Sequence, residues 1–229
     1  MLTALLLALA LAACGDDDTD GGSASSAATD TAATPTEATP TEPSSDRGCP
    51  EVAQPQAKQD GGERKPKQEL DASKTYDVRV KTSCGSFTIR LDVKGAPETA
   101  ASFVALAKKG FFDDTYFHRI VPGFVIQGGD PTGTGAGGPG YKTVDEPPSD
   151  AKYTKGVVAM AKAGNEAPGT AGSQFFVVTG DDAGLPPDYA ILGKVTKGLD
   201  VVEKIGALGD ASEQPLQVIT IEGMEVEES

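Results

Sequence analysis

The chain has 229 residues with 34 acidic and 20 basic side chains, a formal net charge of −14. From Asp71 onward 22 acidic residues stand against 15 basic ones, so the folded portion is itself anionic, at −7. No basic stripe and no Lys/Arg cluster interleaved with aromatics is present, which argues against nucleic acid as a partner.

The chain opens on an apolar run, Leu2 to Ala13, broken only by Thr3. It is too short to cross a bilayer, which takes about 20 residues, and suits a signal-peptide core over residues 1–13. No Lys or Arg precedes Cys14, so the usual basic n-region is expected upstream of Met1. Leu11-Ala12-Ala13-Cys14-Gly15 resembles the lipobox of bacterial lipoproteins. That resemblance implies cleavage before Cys14, lipid on its sulfur, and anchorage to the membrane of a bacterial envelope outside the cytoplasm. The alternative is an ordinary signal peptide with an incidental Cys.

Residues 14–46 then read as a disordered tether. From Gly15 to Asp46 there are eight acidic residues, no basic one, no aromatic and no aliphatic larger than Ala. Such a segment cannot bury enough apolar surface to offset its ordering entropy. As a flexible coil it would hold the next domain on the order of 30 Å from its anchor. Asp16-x-Asp18-x-Asp20-Gly21 matches half of a calcium loop, but Ala27 stands where the bidentate Glu is required, so no metal site is expected. Residues 47–70 read as a lead-in. Cys49 and Cys84 make an even pair in an exported chain, and a disulfide is the natural reading, with two unpaired thiols as the alternative.

Residues 71–229 make one domain by length. Tyr76–Thr82 and Ser86–Asp92 alternate as half-buried strands, and Ser83-Cys84-Gly85 predicts a tight hairpin between them. Pro97-Glu98 predicts a helix start. Ala100, Phe103, Val104 and Ala107 share one face, and Lys108-Lys109-Gly110 ends the helix. Further strands are expected at Phe124–Gln127, Val157–Ala161, Gln174–Val178, Ala190–Val195 and Val218–Glu225, with a second helix at Leu199–Ile205. Many short strands with few helices suggest an antiparallel barrel, although periodicity alone does not choose barrel over sandwich. Gly133-x-Gly135-x-x-Gly138 fits a dinucleotide pattern in letters only. Pro139-Gly140 follows where a helix would have to open, so a mobile surface loop is expected instead.

Two longer motifs carry chemistry. One is Phe117-His118-Arg119-Ile120-Val121-Pro122-Gly123-Phe124-Val125-Ile126-Gln127-Gly128-Gly129-Asp130. The other is Met160-Ala161-Lys162-Ala163-Gly164, followed by Gly172-Ser173-Gln174-Phe175-Phe176, with Ile191-Leu192-Gly193-Lys194-Val195 further on. From about Tyr76 to Val226 the chain resembles the cyclophilins, peptidyl-prolyl cis-trans isomerases. The resemblance implies a closed eight-stranded antiparallel β-barrel capped by two α-helices. It places the catalytic group on Arg119, with Gln127 and Phe124 beside it. The proline-binding wall falls on Phe124, Val125, Phe176, Leu185 and Tyr189. The edge that binds substrate main chain falls on Ala161, Lys162 and Ala163, with Gln174 nearby. It implies no cofactor, proline-containing segments of exported proteins as partners, and action as a monomer.

Four positions depart from the family pattern. Val125 stands where Met is common, Lys162 where Asn is usual, and Tyr189 where many members have a pocket His. Gly184 stands where the eukaryotic members have a Trp that helps bind cyclosporin, so weak inhibition by that drug is expected. His118, the one histidine, is expected in a strand ahead of Arg119. Its side chain should then point to the opposite face, hydrogen-bonded in or near the barrel interior. Two rivals remain: a non-catalytic proline-peptide binder on the same fold, against which Arg119 and Gln127 argue, and a tethered adhesin or solute-binding lipoprotein.

Overall fold

In the computed structural model, which describes residues 48–229, β1 (Tyr76–Thr82) and β2 (Gly85–Leu91) form the expected hairpin. Tyr76, Val78, Val80 and Thr82 are buried, while Asp77, Arg79 and Lys81 alternate away from the core. Phe87, Ile89 and Leu91 answer them from β2. The connection is only Ser83-Cys84, and Gly85 takes φ 125°, a region that favours Gly.

Helix α1 (Pro97–Lys108) buries Ala100, Phe103, Val104 and Ala107, the predicted face, together with Leu106. Phe103 packs against Phe112 and Phe175 at centroid distances of 4.9 and 5.5 Å. Ala96 cannot cap the helix with its side chain. Asp145, distant in sequence, does so instead: its carboxylate accepts from the Thr99 N–H at 2.7 Å and the Glu98 N–H at 3.4 Å. An anion there also matches the positive end of the helix dipole.

Short strands follow: β3 (Thr115–Tyr116), β4 (Arg119–Val121), β5 (Val125–Gly128), β6 (Thr143–Val144), β7 (Val157–Met160), β8 (Thr170–Ala171) and β9 (Phe175–Val178). Then come β10 (Ile191–Lys197), α2 (Leu199–Gly206) and β11 (Thr220–Glu228). The hydrogen bonds define one antiparallel nine-stranded sheet in the order β3-β11-β1-β2-β10-β7-β9-β5-β4, and a separate pair, β6-β8. The two end strands, β3 and β4, are joined by Phe117-His118 alone. The sheet therefore curls back on itself through the chain, and no ladder between β3 and β4 closes the ring. This is a mainly-β half-barrel with two helices; the ladders do not define the eight-stranded closed ring that the resemblance implied.

The lead-in is sewn onto the domain. Cys49 is bonded to Cys84 in the β1–β2 turn. The Lys58 ammonium donates to the carbonyls of Gly110, Phe111 and Asp113 just past the end of α1. The Lys58 N–H reaches Pro131 O, and the Gly61 and Glu63 N–H groups reach Gly138 O and Pro139 O. Residues 1–47, including the leader, Cys14 and the whole of the tether, lie outside the described residues. Among the described residues no helix is long and apolar enough to cross a membrane.

Candidate functional site

Strand alternation gives β5, β7 and β9 two different apolar faces. Ile126, Val158, Met160, Phe175 and Val177 point into the main core. Val125, Val157, Ala159, Phe176 and Val178 form a second cluster with Tyr153, on the outer face of the same strands. Phe124, Ala161, Leu185 and Tyr189, all partly buried, pack onto this outer cluster.

Register then sets the polar groups beside it. Arg119 pairs with Gln127, Gln127 with Phe176, and Phe176 with Ala159. One row across β4, β5, β9 and β7 therefore carries a cation, an amide and an aromatic ring on the outer face. Ile120, next to Arg119, is fully buried on the inner side. The guanidinium is thus turned away from the barrel interior.

The guanidinium is held from three directions. Its Nε donates to Glu213 Oε2 at 2.7 Å. One terminal nitrogen lies 3.4 Å from Gln127 Oε1, and its central carbon sits 5.9 Å from the Phe124 ring centroid. The hydrogen bond and charge of Arg119 hold the Glu213 carboxyl below the usual carboxylate range. Glu213 occupies a positive φ of 65°, uncommon for a non-Gly residue, in a turn where the Asp210 carboxylate accepts from the Ser212 and Gln214 N–H groups. Sequence reasoning missed Glu213, which lies 94 positions from Arg119 in a polar turn without a motif.

A relay of amides continues the row. Gln127 donates to Gln174 Oε1 at 3.1 Å, and Gln174 donates to Gly137 O at 3.0 Å. The glycine-rich loop wraps a carboxylate of the protein's own. Asp130 accepts from the Thr132 N–H and hydroxyl, the Gly135 N–H and the Gly137 N–H. Burial opposes the charge on Asp130, yet these bonds outweigh it and hold its carboxyl below the ordinary range. A Cβ at Gly137 would stand 2.2 Å from Asp130 Oδ1, so only Gly fits. The expected free surface loop is therefore tied down, by Asp130 inside and by the lead-in outside, where Asp60 Oδ1 accepts from the Gly138 N–H.

Two recesses flank the amide relay. One, of about 620 Å³, is lined by Ala161, Lys162 and Ala163, by Gln127 and Gln174, by the Gly135–Lys142 segment and by Asp60. The other, of about 330 Å³, is lined by His118, Arg119, Gln127 and Glu213 among others. Neither is lined by Phe124, Val125, Phe176, Leu185 or Tyr189. Those five make a shallow apolar floor, with Val125 and Phe176 almost covered and the Phe176 and Tyr189 rings edge to face at 5.6 Å. A Cβ at Gly184 would meet nothing within 4 Å, so that rim is open.

His118 differs from expectation. It precedes β4 and is not part of it, so strand alternation does not aim it, and it borders the same recess as Arg119. Both ring nitrogens are buried with no hydrogen-bond partner among the described residues. Burial lowers its pKa from the ordinary 6.5, with the nearby Asp130 charge opposing. Among the described residues no group of His, Cys, Asp and Glu is arranged to hold a metal ion.

Comparison with known proteins gives a consistent result. The family model described as cyclophilin type peptidyl-prolyl cis-trans isomerase matches residues 77–226. A peptidyl-prolyl cis-trans isomerase of Arabidopsis thaliana is 39% identical over 150 residues, covering 63% of this chain and 90% of that protein. One from Helicobacter pylori is 40% identical over 150 residues, covering 59% and 90%. A crystal structure of a Cryptosporidium parvum cyclophilin type isomerase superimposes with a TM-score of 0.62 at 33% identity, covering 67% of this chain and 98% of that one. The structure described as being in the presence of the dipeptide ala-pro gives 0.61 at 34% identity, covering 66% and 98%. The chain belongs to the cyclophilin-type peptidyl-prolyl cis-trans isomerases and is an isomerase enzyme.

Proposed function

We propose that this isomerase accelerates X–Pro rotation by aiming the Arg119 guanidinium at the prolyl nitrogen. The observation that carries this reading is the row Arg119–Gln127–Phe176 on the outer face, a fixed cation beside an apolar floor. The barrier to rotation, about 18–20 kcal/mol, is the loss of amide resonance. In the twisted state the nitrogen turns pyramidal and localises a lone pair. A donor aimed at that lone pair binds the twisted state better than either planar one. Glu213 takes the Nε–H of Arg119 and Gln127 takes one terminal N–H, so the remaining terminal donors are left for substrate. No proton is transferred and no bond is broken. Raising a rate from about 0.01 to about 1000 per second needs roughly 7 kcal/mol.

The proline ring would rest on Val125 and Phe176, bounded by Phe124, Leu185 and Tyr189. The residues ahead of it would lie along Ala161–Ala163. Lys162 supports this: its side chain is only 3% exposed although the residue as a whole is half-buried, so it is the main chain that reaches the surface. Because β3 and β4 are consecutive in the chain, the curled sheet is read as working as a closed barrel. The open rim at Gly184 supports weak cyclosporin inhibition; tight binding of that drug to the purified domain would contradict it.

The site is read as acting on exported proteins, from a membrane anchor at Cys14, as a monomer. The apolar leader, Leu11-Ala12-Ala13-Cys14 and the Cys49–Cys84 bond support export to an oxidising compartment. Cys14→Ser should release the protein from the membrane fraction; unchanged retention would contradict lipid anchorage. For the catalytic reading, a proline-limited peptide assay on the wild type and Arg119→Ala decides. Turnover that is lost with the fold intact supports it. Wild-type binding without acceleration would favour a proline-peptide binder.

A further inference from the structure

Two of the residues that depart from the family pattern, Lys162 and Tyr189, touch each other. The Lys162 ammonium lies 5.6 Å from the centroid of the Tyr189 ring. It also pairs with Asp188 Oδ2 at 2.8 Å and donates to Glu166 O at 3.0 Å. Its side chain is almost completely buried. A cation so enclosed persists only when paired and hydrogen-bonded, and here a carboxylate, a carbonyl and a ring face supply what water would.

Each partner belongs to a different part of the groove. Glu166 closes the turn that follows the main-chain edge: its Oε2 accepts from the Ala163 N–H at 2.7 Å, and its own N–H reaches Ala163 O. Asp188 and Tyr189 form the wall of the apolar floor. Tyr153 fixes that wall from behind, donating to Tyr189 O and accepting from the Tyr189 N–H. Meanwhile the Ala161 N–H is held by Gln174 O. The edge is therefore tied at Ala161 to β9 and, through Lys162, to the opposite wall.

We propose that Lys162 is a positioning residue for isomerisation, setting the spacing between the edge that receives substrate main chain and the wall that bounds the proline. This rests on the reading of that groove as the proline-peptide site. A substrate that spans both parts must match a fixed distance, and the buried ammonium is the brace that fixes it. A substrate with a single residue ahead of the proline touches the edge least and depends least on that distance.

The test compares two substrates, a short X–Pro dipeptide amide and a peptide with three or more residues ahead of the proline. Wild type, Lys162→Met, Lys162→Arg, Asp188→Asn and the double variant Lys162→Met/Asp188→Asn are assayed well below their unfolding temperatures. Lys162→Met should lose about tenfold in kcat/KM on the longer peptide, mostly through KM, and severalfold less than that on the dipeptide amide. Asp188→Asn should lose in the same selective way, the double variant should lose no more than Lys162→Met, and Lys162→Arg should recover part. Equal losses on both substrates, additive losses, or no loss would overturn the proposal. Should Lys162→Met not fold, Asp188→Asn and Lys162→Arg carry the same comparison. A wild type inactive on both peptides would instead defeat the reading of the groove.

Discussion

The inner and outer faces of β5, β7 and β9 are built from similar residues and, in the reading proposed above, serve different ends. Phe175 and Phe176 are neighbours in one strand, and both are nearly inaccessible. Phe175 packs under Phe103, Phe112 and Phe117, inside the curl. Phe176 meets Tyr153 and Tyr189 in a thin layer on the other side. Burial alone does not separate a core residue from a proposed site residue here. What separates them is the cover: helix and barrel over one face, a few rings and a cation over the other.

The sharpest way to break that contrast is to truncate each ring. Phe175→Ala should cost about 3–5 kcal/mol by opening a cavity in the closed core. Phe176→Ala should cost less, since its cavity opens toward solvent, yet lower turnover about a hundredfold by letting the proline shift. Chemical denaturation and peptide kinetics on both variants read this out; matched losses of stability and activity in the two would dissolve the distinction.

Removing the Cys49–Cys84 bond probes stability at the β1–β2 turn. The link spans 35 residues, and its loss in Cys49→Ser/Cys84→Ser should cost about 3–4 kcal/mol on chain-entropy grounds. Turnover well below the melting point should stay near wild type. A large loss of turnover at low temperature would mean that the outer face depends on the clip.

Smaller effects belong to the groups around the guanidinium. Glu213→Gln removes the charge that aims Arg119 and should lower kcat/KM roughly two- to fivefold, in keeping with an exposed ion pair. His118 should act through stability. Its folded pKa is lowered by burial, so the unfolded chain takes up a proton first as pH falls. Stability is full above the ordinary pKa of 6.5 and declines as pH drops from there through the lower folded value. His118→Gln should flatten that part of the melting-temperature profile while turnover changes little; an unaltered profile would contradict the burial account.

Much of the scaffold was legible in the sequence, where the signal is local. β1 follows a period of two, α1 shows one apolar stripe between Pro97 and Gly110, and β10 and α2 fall within two residues of their expected ends. β3, β4, β6 and β8 are two or three residues long, too short for any period to register. Arg119 and its neighbours are proposed through the family motif. The register that explains them, Arg119 to Gln127 to Phe176, is a pairing between strands and leaves no trace in a single stretch. The same holds for Glu213 beside Arg119, for Asp145 capping α1, and for the lead-in that pins the glycine-rich loop. Each joins positions far apart in the chain. The structural reason for the G-x-G-x-x-G letters, close backbone approach to Asp130, needed coordinates.

The claim that matters most is that Arg119 favours the twisted amide over the planar one. Exchange spectroscopy on a proline peptide gives both the catalysed rotation rate and the affinity for the ground state, for wild type and Arg119→Ala in one experiment. The account predicts that rotation slows at least about a hundredfold while peptide affinity changes by less than about threefold. A parallel fall in affinity and rate, or rotation preserved without the guanidinium, would contradict it.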